Sequence, residues 1–562
     1  VAYYFNFQSY EGLGDVWVLG KREALNLLRP FFSNQHNVLF LHNAKFDMHM
    51  LAQEGIELAG TIYDTEVNGR LLYNRRMTYS LGDLAKEIGL EKSGEVDEYI
   101  AKHKLYSWMS SPGKAKRSKQ PHFDRVPFSI ISRYGEQDAL VTLKLGVHQL
   151  AQLGVEAQRV PNGGLKSLVE TESRLVKVCH KMERTGIKID RAFCTEALAY
   201  EQKRAKEAAA EFSDLAGAEF KDSNKELAKA FSKAGEDYPR TAKGNPSFTD
   251  DVLEGFTTPL AQLLRTYRDA TKRANTYFAN FIYFADEHDR IHPNMRQAGT
   301  DTGRFSYAEP NLQNCSKDDG SKYPVRGAFI PSPGYFFAMI DYDQQEFRLL
   351  LDYAGEMSVI DKILSQGLDV HQATADQMTV TRTEAKTLNF GLLYGMGSEK
   401  LSAALGITVS EASELKEKYF EALPMVKKFI RSVTSKADSR GWIFNWAGRV
   451  YHFPLLNNPR TGRLDRFAYK APNHLIQGGC GDIMRRAMLR CDELLLEKYS
   501  RMLLTIHDEL LFEIRDDEEG IIPSLVTALE ESYPSRLLKL TASASIGRKS
   551  WAEKEPLGKK SQ

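Results

Sequence analysis

The chain has 562 residues, more than one hydrophobic core accommodates, since cores stop growing at roughly 250–300 residues; several subdomains are expected. Hydrophobic residues make up 42% and charged residues 27%, ordinary for a globular protein, and no apolar run approaches the ~20 residues that cross a bilayer, so no membrane partner is expected. Five cysteines without a CxxC pair argue against a disulfide framework or zinc site, and a formal net charge of +1 leaves any nucleic-acid surface to local segregation of charge.

The first ~150 residues read as α/β, with strand-like runs such as NVLFLHN alternating with helical stretches. No basic–apolar–small leader opens the chain, and it begins at Val1, so residue 1 need not be the natural start. Residues 110–125, SSPGKAKRSKQPHFDR, read first as a solvated loop; their clustered cations would also suit phosphate contact. Residues ~165–290 are rich in helix formers and predict an elongated helical region. Strands return over ~290–350 (YFFAMIDYD), ~350–465 is mostly helical, and the tail carries RMLLTIHDELLFEI, two apolar runs around a charged centre.

Two acidic clusters interrupt apolar strands: Asp341 and Asp343 after FFAMI, and Asp508 and Glu509 between LLTI and LLFE. An ionised carboxylate at the end of a buried strand costs several kcal/mol unless paired. A divalent cation is a natural partner, since Mg²⁺ takes one or two carboxylates plus substrate phosphates; backbone N–H groups capping strand-end acids are the plainer alternative. Over 382–397, Arg382, Lys386, Phe390 and Tyr394 recur every four residues, a slowly winding stripe on one helical face. One end is cationic and the other aromatic, the polarity of a nucleoside triphosphate; an amphipathic helix with exposed cations and buried rings has the same pattern.

DYDQQEFR (341–348), RTEAKTLNFGLLYG (382–395) and HDE (507–509) resemble, in order and spacing, motifs A, B and C of family A DNA polymerases, of the bacterial DNA polymerase I large-fragment type. TGRFSYAEPNLQN (302–314), DVHQATA (369–375), NHLIQGGCGDIMRRAM (473–488) and GRKSW (547–551) also fit the family pattern. The resemblance implies an RNase H-like exonuclease domain (1–160) followed by a right-hand polymerase: thumb 161–290, palm 291–350 and 466–562, fingers 351–465. It implies that Asp341 and Asp508 ligate two Mg²⁺ ions (Mn²⁺ as a substitute), with Glu509 a supporting carboxylate. Lys386 and Arg382 would hold the triphosphate of a dNTP, with Lys386 a candidate proton donor to pyrophosphate. Phe390, Tyr394, Gln344 and His371 would line the nucleotide pocket, with Glu346 packing where a ribose 2′-OH would sit. Arg304, Gln477, Asn473, His507 and Arg348 would contact primer–template DNA. Two departures stand out. Motif A usually carries Ser where this chain has Asp343, which is expected to point to solvent. After Gly448-Arg449 the chain runs VYH where the family often has more arginines, so fewer phosphate contacts are expected.

In the front domain, Asn43 and Asp47 (HNAKFDMHML) and Tyr134 and Asp138 (YGEQDA) resemble exonuclease motifs II and III. A motif I D-x-E ahead of Asp47 is not found, and Asp64 of DTE reads as structural; little 3′→5′ exonuclease activity is expected. A thumb-docked processivity partner is not indicated, and a monomer in the cytoplasm of a bacterial or phage-infected cell, or in an organelle, is expected. The rivals are a single-subunit RNA polymerase, against which Glu346 and HDE argue, and a non-catalytic DNA-binding replication factor, against which the intact acids argue.

Overall fold

The computed structural model describes residue 4 and residues 20–110, 117–238, 240–241, 244–249, 253, 255–316, 320–393, 395–459 and 461–557. Its centre is an antiparallel sheet of five strands in the order Arg501–Ile506, Glu509–Arg515, Tyr335–Tyr342, Ala542–Gly547, Glu555–Pro556. The middle strand reads YFFAMIDY, and five successive residues from Phe336 to Ile340 are buried. Such an uninterrupted apolar run has a covered sheet face on both sides. Helix Ala471–Leu494 and helix Ile522–Glu530 pack on this unit, and helix Gly164–Thr185 crosses behind the strand Arg501–Ile506.

The charged centre of RMLLTIHDELLFEI falls at a strand junction, although Glu509 opens the second strand and Glu513 lies buried within it. His507 and Asp508 form a two-residue turn between strands, with His507 at φ 58°, so their solvation is far better than mid-strand burial would allow.

The region 191–284 is an arm. Helix Arg191–Ala216 lies along helix Pro259–Lys272, and the arm has a small core of its own around Phe212, Phe231, Phe248 and Leu264. Residues 345–393 and 395–440 are mostly helical, as the composition predicts, and Thr408 with Glu411 closes a capping box at one helix start. Past Arg440 the chain turns instead to short paired strands, Trp442–Phe444 with Val450–His452, where aromatic and β-branched residues favour strand, and Leu456–Asn457 with Leu464–Asp465.

In front, strands Val38–Leu41 and Thr61–Asp64 pair in parallel and are covered by helices Ala44–Gln53, Thr65–Leu72 and Phe128–Ala157. This domain is bolted to the rest through Glu183. Its carboxylate accepts from Lys45 Nζ, His49 Nε2 and the Met295 amide. A second buried knot holds the rear: Arg449 donates to Glu172 at 2.7 Å and to Asp482 at 2.6 Å, and Arg485 donates to Glu172 at 2.7 Å and to the Gly303 carbonyl at 2.6 Å. Arg449 is thus consumed inside the protein and is no phosphate ligand.

Candidate active site

Asp341 is the penultimate residue of the middle strand, and its register partners are Glu509 on one side and Ser543 on the other. The Tyr342 amide donates to the Asp508 carbonyl at 3.1 Å, so the turn bearing Asp508 is stitched directly to the strand end bearing Asp341. Two acidic residues from distant segments are therefore brought together at one end of the sheet, both half-buried.

Glu509 is buried. It accepts from Arg326 and from the Trp551 indole, each at 3.3 Å, and from Lys554 at 2.9 Å, while the Arg326 guanidinium lies 4.1 Å from the Trp551 ring centroid. Its carboxylate buttresses the strand pair from within. Trp551 of GRKSW belongs to this buttress, and Arg326 and Lys554 are contributors that no motif singles out. Asp343 departs from expectation: it does not point freely to solvent. Its oxygens accept from the Thr541 hydroxyl at 2.8 Å and the Ser543 hydroxyl at 2.7 Å. Hydroxyls on the neighbouring strand turn the extra acid aside from Asp341.

The cationic stripe lies on helix Arg382–Leu393. Arg382 and Lys386 are exposed, Phe390 is half-buried, and Ala385, Leu388 and Asn389 face inward. Tyr394 lies outside the described residues. Arg382 donates to Asp369 at 2.9 Å, an exposed pair that a phosphate can replace at small cost. Asp369 also caps helix Val370–Met378 by accepting from the His371 and Gln372 amides, and Gln344 accepts from the Val370 amide at 2.8 Å. His371 lies 5.5 Å from the Phe390 ring and 6.1 Å from that of Phe347, on the helix that follows Asp341. Burial, with Arg382 and Lys386 nearby, lowers its pKa to about 4. Asn389 donates to His371 Nδ1 at 3.0 Å, so the neutral ring carries its proton on Nε2 as a hydrogen-bond donor. Asn389 was not singled out in the sequence, although it lies one residue before Phe390 in the same motif.

On the other flank, Arg304 is ion-paired with Glu346. Arg304 and His507 line one small pocket with Gln345 and Gly481. Asn473 and Gln477 are half-buried one turn apart on helix Ala471–Leu494, on the face that reaches Arg304 at Gly481, where an added Cβ would lie 3.7 Å from the Arg304 Cα. Arg348 turns away: it is half-buried and donates to the Lys539 carbonyl at 3.0 Å.

In the front domain Asn43 adopts φ 57° before helix Ala44–Gln53, whose first turn holds Asp47. Burial and the neighbouring Asp64 push Asp47 up to about 6. Asp64 caps two helix starts, accepting from the Asn43, Ala44 and Glu66 amides. Tyr134 and Asp138 are joined by Lys92, which donates to the Tyr134 hydroxyl at 3.1 Å and to Asp138 at 2.8 Å. A cleft of about 570 Å³ lies between His42, Asp64 and Arg70 of this domain and the 294–301 and 449–451 segments. Asp341 is not among its lining residues.

Among the described residues no group of three or more His, Cys, Asp or Glu converges in a ready-made metal cage. The pair Asp341 and Asp508 instead offers hard oxygen donors at a half-open edge, the donor set of a cation completed by substrate oxygens and water. The family model for DNA polymerase family A matches residues 192–553, and that for a 3′-5′ exonuclease matches residues 4–152. DNA polymerase I of Chloroflexus aurantiacus is 31% identical over 95% of this chain and 57% of its own length. That of Rhizobium leguminosarum is 31% identical over 91% of this chain and 50% of its own; the chain thus spans about half the length of these relatives. DNA polymerase DpoZ of Salmonella phage PMBT28 is 28% identical over 85% of this chain and 82% of its own. The solved POL domain of Pol1 from M. smegmatis, in complex with DNA primer-template and dNTP, superposes with a TM-score of 0.79 at 26% identity, covering 95% of this chain and 89% of that one. No helix among the described residues is long and apolar enough to cross a membrane. The chain belongs to DNA polymerase family A, with an exonuclease domain preceding the polymerase domain.

Proposed function

We propose that this chain is a template-directed DNA polymerase that adds dNTPs to a primer 3′-OH. The observation that carries the reading is the convergence of Asp341 and Asp508 at one sheet edge, flanked by the exposed cations Arg382 and Lys386. Two Mg²⁺ ions held by Asp341 and Asp508 would supply the Lewis acidity that activates the 3′-OH and stabilises the leaving pyrophosphate. Arg382 leaves Asp369 for the triphosphate, Lys386 neutralises it, and the His371 Nε2–H donates to it. Phe390 packs on base and sugar. Glu346, released from Arg304, fills the space of a 2′-OH, and Arg304 turns to the primer terminus with Asn473, Gln477 and His507. Primer–template DNA and dNTPs are the partners, and the chain acts as a monomer in the cytoplasm of a bacterial or phage-infected cell. Residues 291–350 and 466–562 serve as palm and 351–465 as fingers. Within 161–290, the projecting thumb starts near Arg191, because helix Gly164–Thr185 packs on the sheet and the front domain.

Asp508→Ala is expected to abolish primer extension, by at least about a thousandfold, while affinity for primer–template stays near that of the parent; normal extension by this variant overturns the assignment. Extension with rNTPs in place of dNTPs separates the RNA-polymerase reading. For the front domain, the ammonium of Lys92 between Tyr134 and Asp138 supports weak nuclease action, and brisk degradation of a mismatched primer end would refute it.

A further inference from the structure

Helix Val370–Met378 and helix Arg382–Leu393 pack on one another, and three polar side chains meet between them. Thr374 and Asn389 are fully buried there, and His371 nearly so. Polar groups without access to water must find their partners inside the protein. The Thr374 hydroxyl donates to the Val370 carbonyl at 2.9 Å, one turn back on its own helix. Its proton is thereby committed, and its oxygen is left as an acceptor. Asn389 Nδ2 donates to that oxygen at 3.3 Å and to His371 Nδ1 at 3.0 Å. Both protons of the amide are used, while Asn389 Oδ1 is buried with no partner. Turned by half a revolution, the amide would set Oδ1 against both neighbours and carry its NH₂ group into the partnerless place. An orphaned buried donor is rarer than an under-satisfied carbonyl. The Thr374 proton would also have to leave its shorter bond for a longer one.

The bonds therefore run one way. Thr374 fixes the amide, the amide presents a donor to Nδ1, and the ring proton must sit on Nε2. Protonating both ring nitrogens would set two N–H groups against each other. The His371 pKa of about 4, lowered by burial with Arg382 and Lys386 against the pull of Asp369, agrees. An imidazole free to choose its tautomer would serve a phosphate poorly: in one form Nε2 donates, and in the other it turns a lone pair on the phosphate oxygens. We propose that Thr374 and Asn389 are positioning residues for the nucleotide, which act through His371 to hold an N–H donor, and to exclude a lone pair, where the triphosphate binds. Both work from behind the imidazole, out of reach of any ligand. The proposal deepens the polymerase reading and rests on it for the identity of the ligand.

The test begins without substrate. The full chain, labelled with ¹⁵N-histidine, is read by long-range proton–nitrogen correlation near neutral pH, the His371 signals being those lost in His371→Gln. A single tautomer protonated on Nε2 is expected. Thr374→Val keeps the shape, removes the hydroxyl and lets the amide turn, so it should mix or reverse the tautomers. Thr374→Ser, which keeps the hydroxyl, should restore the parental signal. In single-nucleotide extension Thr374→Val and Asn389→Leu should raise the KM for dNTP about ten- to a hundredfold, with affinity for primer–template unchanged, and Thr374→Ser should recover most of the loss. A packing role alone would lower the denaturation midpoint and leave the tautomer where it is. A parental ring protonated on Nδ1, a tautomer in Thr374→Val identical to the parent's, or an unchanged KM in a variant whose tautomer has moved overturns the proposal. The parental spectrum needs no variant to fold. Normal extension by Asp508→Ala would overturn the polymerase reading, whereas the substrate-free spectrum judges the tautomer on its own.

Discussion

Asp343 shows how one residue's neighbours set its meaning. Two positions past a candidate metal ligand, an extra negative charge would compete for the cation; held by Thr541 and Ser543, it serves as a clasp between adjacent strands. Asp343→Ala is therefore expected to lose about 1 kcal/mol of stability by denaturant titration and to retain primer extension, whereas Asp341→Ala loses extension. Asp341 and Asp508 stand out in the sequence because acids that interrupt apolar runs are visible as a pattern. It says nothing of Asp343's partners, because Thr541 and Ser543 reach it only through strand pairing. The same holds for Glu509, whose partners Arg326, Trp551 and Lys554 come from segments that local periodicity does not connect.

Elements impose stricter demands than single contacts. Helix Ala471–Leu494 runs so close to the 302–304 segment that a Cβ on Gly478 would overlap the Tyr451 hydroxyl and lie 2.5 Å from the Thr302 carbonyl. Gly478→Ala is expected to cost about 1–3 kcal/mol, read as a lower denaturation midpoint, and to raise the KM for primer–template as Gln477 shifts. Helix content over 345–440 was legible from propensity, while the paired strands after Arg440 were not: each is only two or three residues long, too short for a period to register. Helix Gly164–Thr185 was read as part of the arm because its composition resembles the arm's. Its buried Glu172 and Glu183 bind Arg449 and Arg485 far along the chain and Lys45 in the front domain, and those pairings are tertiary facts.

The whole molecule is coupled by such buried charges. Glu183→Ala would strand the Lys45 ammonium, 8% exposed, at a cost of about 3–5 kcal/mol, and calorimetry should show the front domain melting ahead of the polymerase half. Buried titratable groups also set the response to acid. His180, His371 and His474 are each lowered to about 4, chiefly by burial, and His42 and His452 shift the same way. Between pH 6.5 and 4 the folded chain binds fewer protons than the unfolded one at the first three sites, so their stability is lost as pH falls through that window. Glu183 and Asp482 extend the loss to lower pH, below 4.5 and 3.8 respectively: burial would raise them, but His49 and Lys45 hold the first, and Arg449 and Arg485 the second, below the usual carboxylate range. Asp47 acts oppositely, since its raised value of about 6 gives stability that is fully present below 3.8 and lost as pH rises through 6. The larger set wins, and Tm should fall steadily from pH 7 to pH 4.5 in a buffered thermal scan.

The turn at His507 and Asp508 joins its strands with no spare residue. Side chains alternate along a strand, so one inserted residue would send Glu509 to the opposite face of the sheet and Asp508 away from Asp341. Tolerance to changes of length must therefore collapse here even where tolerance to changes of side chain does not. A library of single-residue insertions and deletions, selected for primer extension, should show this turn as a silent gap, bounded on both sides by positions that accept conservative exchange.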